Sequence, residues 1–240
     1  MFSERDASYE KNGFAMKFRF PIWVDRLLPV LAAAVVLGGG YAGGVVMFGA
    51  SPYTLDVGYQ PKQPIPFSHA LHAGKLKMDC RFCHNTVEKA AHAAVPATAT
   101  CGKCHAGLEN GIAVTTSVHA NSPKLQLVRE SLATGKAIKW EKVHDLPDYA
   151  YFNHSAHVAR GVSCVSCHGR IDKMEVVQQV APLSMAWCLE CHRNPEPSLR
   201  PKELVTKLDW VSPTPQAELG KQLRDEFHIN PKTNCSTCHR

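Results

Sequence analysis

Long apolar runs are scarce in this sequence of 240 residues. One uninterrupted block lies between positions 27 and 50, and the roughly 190 residues beyond it carry every cysteine and most of the prolines. A protein-only hydrophobic core of ordinary size is excluded for that remainder. A cluster of basic residues is also missing. Lys and Arg number 27 against 21 Asp and Glu, a formal charge of +6, but the two signs are interleaved along the chain. That pattern gives no electrostatic footprint for nucleic acid, which is excluded as a partner.

The apolar block from Leu27 to Ala50, LLPVLAAAVVLGGGYAGGVVMFGA, contains no charge. At about 1.5 Å per residue a helix of it reaches about 36 Å, enough for a hydrocarbon layer of about 30 Å. Cleaved signal peptides have shorter apolar regions, roughly 7–15 residues, and Phe48 suits a small-residue cleavage site badly. A retained transmembrane helix over 27–50 is therefore expected. Arg5, Lys11, Lys17, Arg19 and Arg26 precede it, whereas only Lys62 follows closely, so residues 1–26 are expected in the cytoplasm and the rest outside. Gly39 with Gly43, and Gly40 with Gly44, have the G-x-x-x-G spacing that lets a second helix approach.

No cysteine stands outside a repeated pentapeptide. C-x-x-C-H occurs five times, with Cys80, Cys83 and His84; Cys101, Cys104 and His105; Cys164, Cys167 and His168; Cys188, Cys191 and His192; and Cys235, Cys238 and His239. This is the attachment signature of c-type haem, in which two thiols add to the vinyl groups and the histidine ligates the iron. Disulfides do not explain a histidine after every second cysteine: with 13 histidines in 240 residues the coincidence is roughly one in two million. Zinc knuckles work in pairs and would leave one of five unpartnered. Thioredoxin-like pairs come singly.

Five haem c groups are thus expected. They also resolve the core problem, because about 38 residues per macrocycle can wrap its apolar faces. The expected fold is that of a multihaem c-type cytochrome: haem-dictated, short α-helices with long irregular connections, very little β, and one N-terminal transmembrane helix. Each oxidised haem adds about −1, taking the formal charge to about +1, or about −4 on reduction.

Eight histidines remain for the distal side of the irons. Four recur as a unit, Phe67-Ser-His69-Ala-Leu-His72 and Phe152-Asn-His154-Ser-Ala-His157, each followed by a C-x-x-C-H. On a helical turn, histidines at i and i+3 share a face yet diverge enough to serve two haems, so His69, His72, His154 and His157 are expected as distal ligands. For the fifth, the thioether of Met185 is favoured over His144 as rival; a thioether would raise that haem's potential. Met78 and Met174 read as gap fillers. His92, His119 and His228 read as surface residues, and Trp140 and Trp187 as haem packing.

The repeats suggest a dihaem module over 51–120, a connector over 121–150 containing an amphipathic helix at Leu125–Leu132, and a trihaem module over 151–240. Pro195, Pro197, Pro201, Pro213 and Pro215 rule out a long helix there, so residues 194–218 are expected as an extended docking strap.

The anchor together with FSHALH, CRFCH, CGKCH, VHDLPDYAYFNHSAHV, PLSMAWCLECHRNPEP and the terminal NCSTCHR resembles the pentahaem cytochrome c subunit of bacterial alternative complex III, over essentially all of the chain beyond residue 20. The resemblance implies a periplasmic electron-transfer wire on the inner membrane, within a quinol:electron-acceptor oxidoreductase. The implied partners are integral membrane quinol-oxidising subunits, a periplasmic iron–sulfur subunit, and a monohaem cytochrome c subunit or terminal oxidase. It also implies mainly bis-histidine haems with one histidine–methionine haem. A stand-alone membrane-anchored multihaem quinol dehydrogenase is the alternative. Catalysis at an open haem, as in nitrite reductases, is disfavoured by the absence of C-x-x-C-K and by the spare histidines.

Overall fold

The computed structural model describes residues 21–49, 51, 54–106, 108–109, 112–113 and 118–239. The chain divides into two units, one up to residue 51 and one from residue 52 on. In the first, α1 runs from Ile22 to Gly49, buries no side chain in this chain, and is long and apolar enough to cross a membrane. It starts at Ile22 and not at Leu27, because Asp25 and Arg26 limit the apolar stretch without interrupting main-chain bonding. Asp25 sits in the first turn, at the positive end of the helix dipole. A Cβ placed on Gly39, Gly40, Gly43 or Gly44 meets nothing within 4 Å, so that face is open within the chain. Ala50 and the basic residues Arg5, Lys11, Lys17 and Arg19 lie outside the described residues.

The second unit is built of short helices joined by irregular chain, as expected. They are α2 (Cys80–Cys83), α3 (Thr98–His105), α4 (Gln126–Thr134), α5 (His154–Val158), α6 (Cys164–His168), α7 (Met185–Arg193), α8 (Gln216–Glu226) and α9 (Cys235–Cys238). Strand pairing among the described residues amounts to one antiparallel pair, β1 (Leu108–Glu109) with β2 (Ile112–Ala113), and an isolated antiparallel bridge between Val162 and Leu199. Each C-x-x-C-H lies on or ends one of these helices. The residues just before them explain the starts: Asp79 Oδ1 accepts from the Arg81 N–H at 2.9 Å and Ser184 Oγ from the Trp187 N–H at 3.3 Å.

Among the described residues the buried hydrophobic set is small, and its centre is Leu199, Leu223 and Ile229 with Val162, Leu219 and Phe227 packed against them. The core takes in part of the segment expected as a docking strap, residues 194–218: Leu199 is 0% and Val205 1% exposed, whereas Val211 is 82% exposed. The prolines still forbid a long helix, but they set short 3₁₀ turns at Glu196–Ser198 and Lys202–Leu204, and these aim apolar side chains inward. Arg224 on α8 pairs with Glu196 at 2.5 Å, and Gln216 donates to the Glu196 and Leu199 carbonyls at 3.0 and 2.8 Å. Gly161, at φ +79°, lets the main chain pass so close to the Arg200 carbonyl that a Cβ would collide with it.

From residue 52 on the chain forms one compact unit. The Cys164 N–H donates to the Val205 carbonyl at 3.1 Å, while the next residue, Thr206, donates to Asp79 Oδ2 at 2.9 Å. The same two residues therefore fasten the first and third pentapeptides. The expected connector helix is present as α4, which buries Val128 and packs on α3 through a Thr98–Ser131 hydroxyl contact of 2.8 Å.

Candidate functional site

No two of the ten cysteines are joined by a disulfide. Among the described residues no three His, Cys, Asp or Glu side chains gather into a ligand cage of their own. The histidines have a different order. In four of the five pentapeptides the Nδ1–H donates to a main-chain carbonyl: His84 to Ala94 at 2.9 Å, His105 to Val118 at 2.8 Å, His192 to Lys232 at 2.7 Å and His239 to Tyr149 at 3.1 Å. A carbonyl oxygen only accepts, so the proton sits on Nδ1 and Nε2 keeps its lone pair. That is the tautomer an iron ligand requires, with its orientation fixed from behind.

Three of the four histidines of the repeated units do the same. His72 donates to the Ser68 carbonyl at 2.8 Å, His157 to Asn153 at 2.7 Å and His154 to Ala91 at 2.8 Å; buried His69 Nδ1 has no hydrogen-bond partner. The two repeated units are built alike. Phe67 stands edge-on to His69 at 4.8 Å and nearly parallel to His72 at 4.4 Å. Phe152 does the same with His154 at 4.7 Å and His157 at 4.6 Å. The phenyl ring is a wedge that holds two imidazoles apart at a set angle.

Three of these histidines face a pentapeptide histidine across one recurring gap. Ring centres are 6.3 Å apart for His72 and His105, 6.3 Å for His154 and His168, and 6.2 Å for His157 and His192. Two metal–nitrogen bonds of about 2 Å each, plus about 1 Å from each nitrogen to its ring centre, make about 6 Å. The residues therefore fit an iron with an imidazole on either side. Burial, followed by charge repulsion from His84 and His72, holds His69 down to about 4. Burial also lowers His154 and His157 and pushes His168 down to about 3. All four rings are neutral near pH 7, the state in which a nitrogen can ligate.

The thiols reveal which pentapeptides adjoin. Burial raises Cys83, then charge at Cys101 on the second motif. The hydrogen bond that the Cys164 thiol donates to Cys80 lowers Cys80 and, followed by burial, raises Cys164, so the first and third motifs touch. Cys167 is pushed up to about 11 by burial and then by Cys191 and Cys188 on the fourth, and Cys188 is raised by burial and then by Cys238 on the fifth. The spatial order is thus second, first, third, fourth, fifth.

His144 stands directly against His168 and not across a gap from it. Its ring centre is 4.4 Å from that of His168, too close for an iron between them, and its Nε2 is 3.3 Å from His168 Nδ1. Met185 opens α7 and is 67% exposed. His92, His119 and His228 are exposed and Trp140 and Trp187 half-buried. The main-chain carbonyls that fix the imidazoles were not foreseeable, since a carbonyl leaves no mark on sequence. The repeated phenylalanine was the one available signal for the wedge.

Residues 150–240 match the family described as cytochrome c7 and related cytochrome c. The multihaem cytochrome c subunit of the menaquinone reductase of Nitratidesulfovibrio vulgaris (strain Hildenborough) is 33% identical over 109 residues, which are 45% of this chain and 47% of that protein. The chain thus spans about half the length of that curated relative.

Proposed function

We propose that this chain, whose residues 150–240 match a cytochrome c family, is a multihaem c-type cytochrome with covalently bound haem c and the electron-transfer subunit of a quinone-linked membrane complex of the alternative complex III kind. It holds five haems outside the cytoplasm, anchored by α1. Supporting this reading is the recurring gap of 6.2 to 6.3 Å between three pairs of imidazoles, each pair joining a repeated-unit histidine to a C-x-x-C-H histidine. In this reading His72 serves with His105, His154 with His168, and His157 with His192. His69 falls to His84, which repels a charge on it more strongly than His72 does. Met185 falls to His239, since Cys188, three residues on, has Cys238 beside it.

Haem c supplies one-electron chemistry at these positions. The work of the protein is to hold ten thiols and ten ligands fixed so that little reorganises as charge passes. The carbonyl acceptors set ring orientation, the two phenylalanines set the angle within each unit, and burial keeps His69, His154, His157 and His168 neutral. In this reading electrons pass along the order second, first, third, fourth, fifth, entering at one end and leaving at the other. Integral membrane quinol-oxidising subunits and an iron–sulfur subunit serve one end, and a monohaem cytochrome c or terminal oxidase the other.

Mass spectrometry of the mature chain is expected to show five haem additions, and quinol is expected to reduce them only when the other subunits are present. Reduction of the chain alone by quinol would favour the stand-alone dehydrogenase. The name of the relative supports a second reading, in which electrons run toward menaquinone. Stopped-flow reduction of the complex from the quinol side and from the cytochrome side distinguishes the two directions.

A further inference from the structure

The third pentapeptide departs from the other four in one respect. His84, His105, His192 and His239 all turn Nδ1 to a main-chain carbonyl, whereas His168 turns it to a side chain, His144 Nε2, at 3.3 Å. The two rings meet edge-on, at 80° and 4.4 Å between centres. His154 is the other ring facing His168, 6.3 Å away and within 8° of parallel. His154 has its own Nδ1 committed to the Ala91 carbonyl at 2.8 Å. His168 therefore has one neighbour at hydrogen-bonding distance and another at the width of an iron, and the contact with His144 leaves its Nε2 for the second.

We propose that His144 is a positioning residue for the third site, accepting the Nδ1–H of His168 and thereby lowering the reduction potential there. The inference rests on the reading of His168 as an iron ligand and goes beyond it. A neutral imidazole has one lone pair; if Nε2 of His144 receives the proton of His168, His144 carries its own proton on Nδ1. An imidazole nitrogen is more basic than an amide oxygen, so the donor ring gains more anionic character than its four counterparts, and such a ligand favours oxidised iron. The seat of His144 is firm. Five residues on, the Tyr149 carbonyl accepts from His239 at 3.1 Å, the Ala150 N–H closes a turn on Pro147 at 2.8 Å, and the Tyr151 N–H donates to the Cys238 carbonyl at 2.7 Å. One short segment thus backs the ligands of both the third and the fifth motifs.

The test uses the full chain in its membrane complex, with His144→Leu, which removes the acceptor, and His144→Gln, which restores one through an amide oxygen. In His144→Leu, all haems are expected to remain attached and low-spin. One component of the redox titration is expected to move to higher potential, with one low-spin EPR signal displaced and the others unchanged. His144→Gln is expected to show a smaller shift of the same component. A new high-spin haem in His144→Leu overturns the proposal, because His144 would then be a ligand. So does a titration in which no component moves, or in which all move alike in both variants. Failure of the underlying reading shows separately, as wild-type peptide 164–168 without a haem mass.

Discussion

The rings of His157 on α5 and His192 on α7 stand 6.2 Å apart, centre to centre, with the Nδ1–H of each donated to a carbonyl behind it. Neither hydrogen bond depends on the other ring, so the gap between them is held by the protein from both sides. His157→Ala removes one side of the gap. One haem is expected to become five-coordinate and high-spin, with loss of about one fifth of the low-spin amplitude and no loss of covalent haem. His157→Met is expected to stay six-coordinate while raising the potential of that one component. Near-infrared magnetic circular dichroism reads both outcomes. An unchanged spectrum in His157→Ala would dissociate this residue from iron.

Phe152 touches both histidines of its unit, edge-on to one and nearly parallel to the other. Phe152→Leu keeps most of the apolar volume but loses the flat face, so a stability cost of about 1–3 kcal/mol is expected. Two low-spin components should broaden together, because two ligands lose their common stop. Broadening of a single component would mean that the ring orients only one of them.

Local chemistry was legible and distant packing was not. The five pentapeptides, the doubled Phe-x-His-x-x-His unit and the shortness of the helices follow from spacings that attachment and ligation impose on neighbouring residues. The position of His144 against His168 depends on how the 143–150 segment folds across α6, and no local pattern encodes that. Prolines between 195 and 215 were read correctly as helix breakers, but a breaker also makes tight turns, and here those turns bury Leu199 and Val205. The apolar residues of that stretch are too irregular to show either period of a buried face.

Leu199 is fully buried against Leu223 and Ile229, so Leu199→Ala is expected to cost about 2–5 kcal/mol. Val211 lies in the same proline-rich stretch but is 82% exposed, and Val211→Ala should stay within about 0.5 kcal/mol of wild type. Guanidinium unfolding of the haem-loaded protein, followed by far-ultraviolet circular dichroism, measures both. Equal, small effects would return residues 194–218 to the role of a surface strap.

Asp79 caps α2 and joins the first motif to the C-terminal half of the unit. Its carboxylate accepts from the Arg81 guanidinium at 2.8 and 3.0 Å and from Thr206 Oγ1 at 2.9 Å. The hydrogen bonds from the Arg81 side chain, more than any other contact, hold this carboxyl well below the usual carboxylate range. A carboxyl depressed on folding stabilises the protein above its unfolded value of about 3.9, and that contribution is lost as the pH falls toward the folded value. Wild-type stability should therefore fall below about pH 4 more steeply than that of Asp79→Asn, which keeps an oxygen for the Arg81 N–H but no charge to titrate. Asp172 and Glu196, held down by hydrogen bonds from Arg170 and Arg224, titrate in both proteins, so the difference between the two curves isolates Asp79. Denaturation midpoints from about pH 3 to about pH 7 measure it. Parallel curves would shift the acid sensitivity away from this cap and onto the other carboxylates.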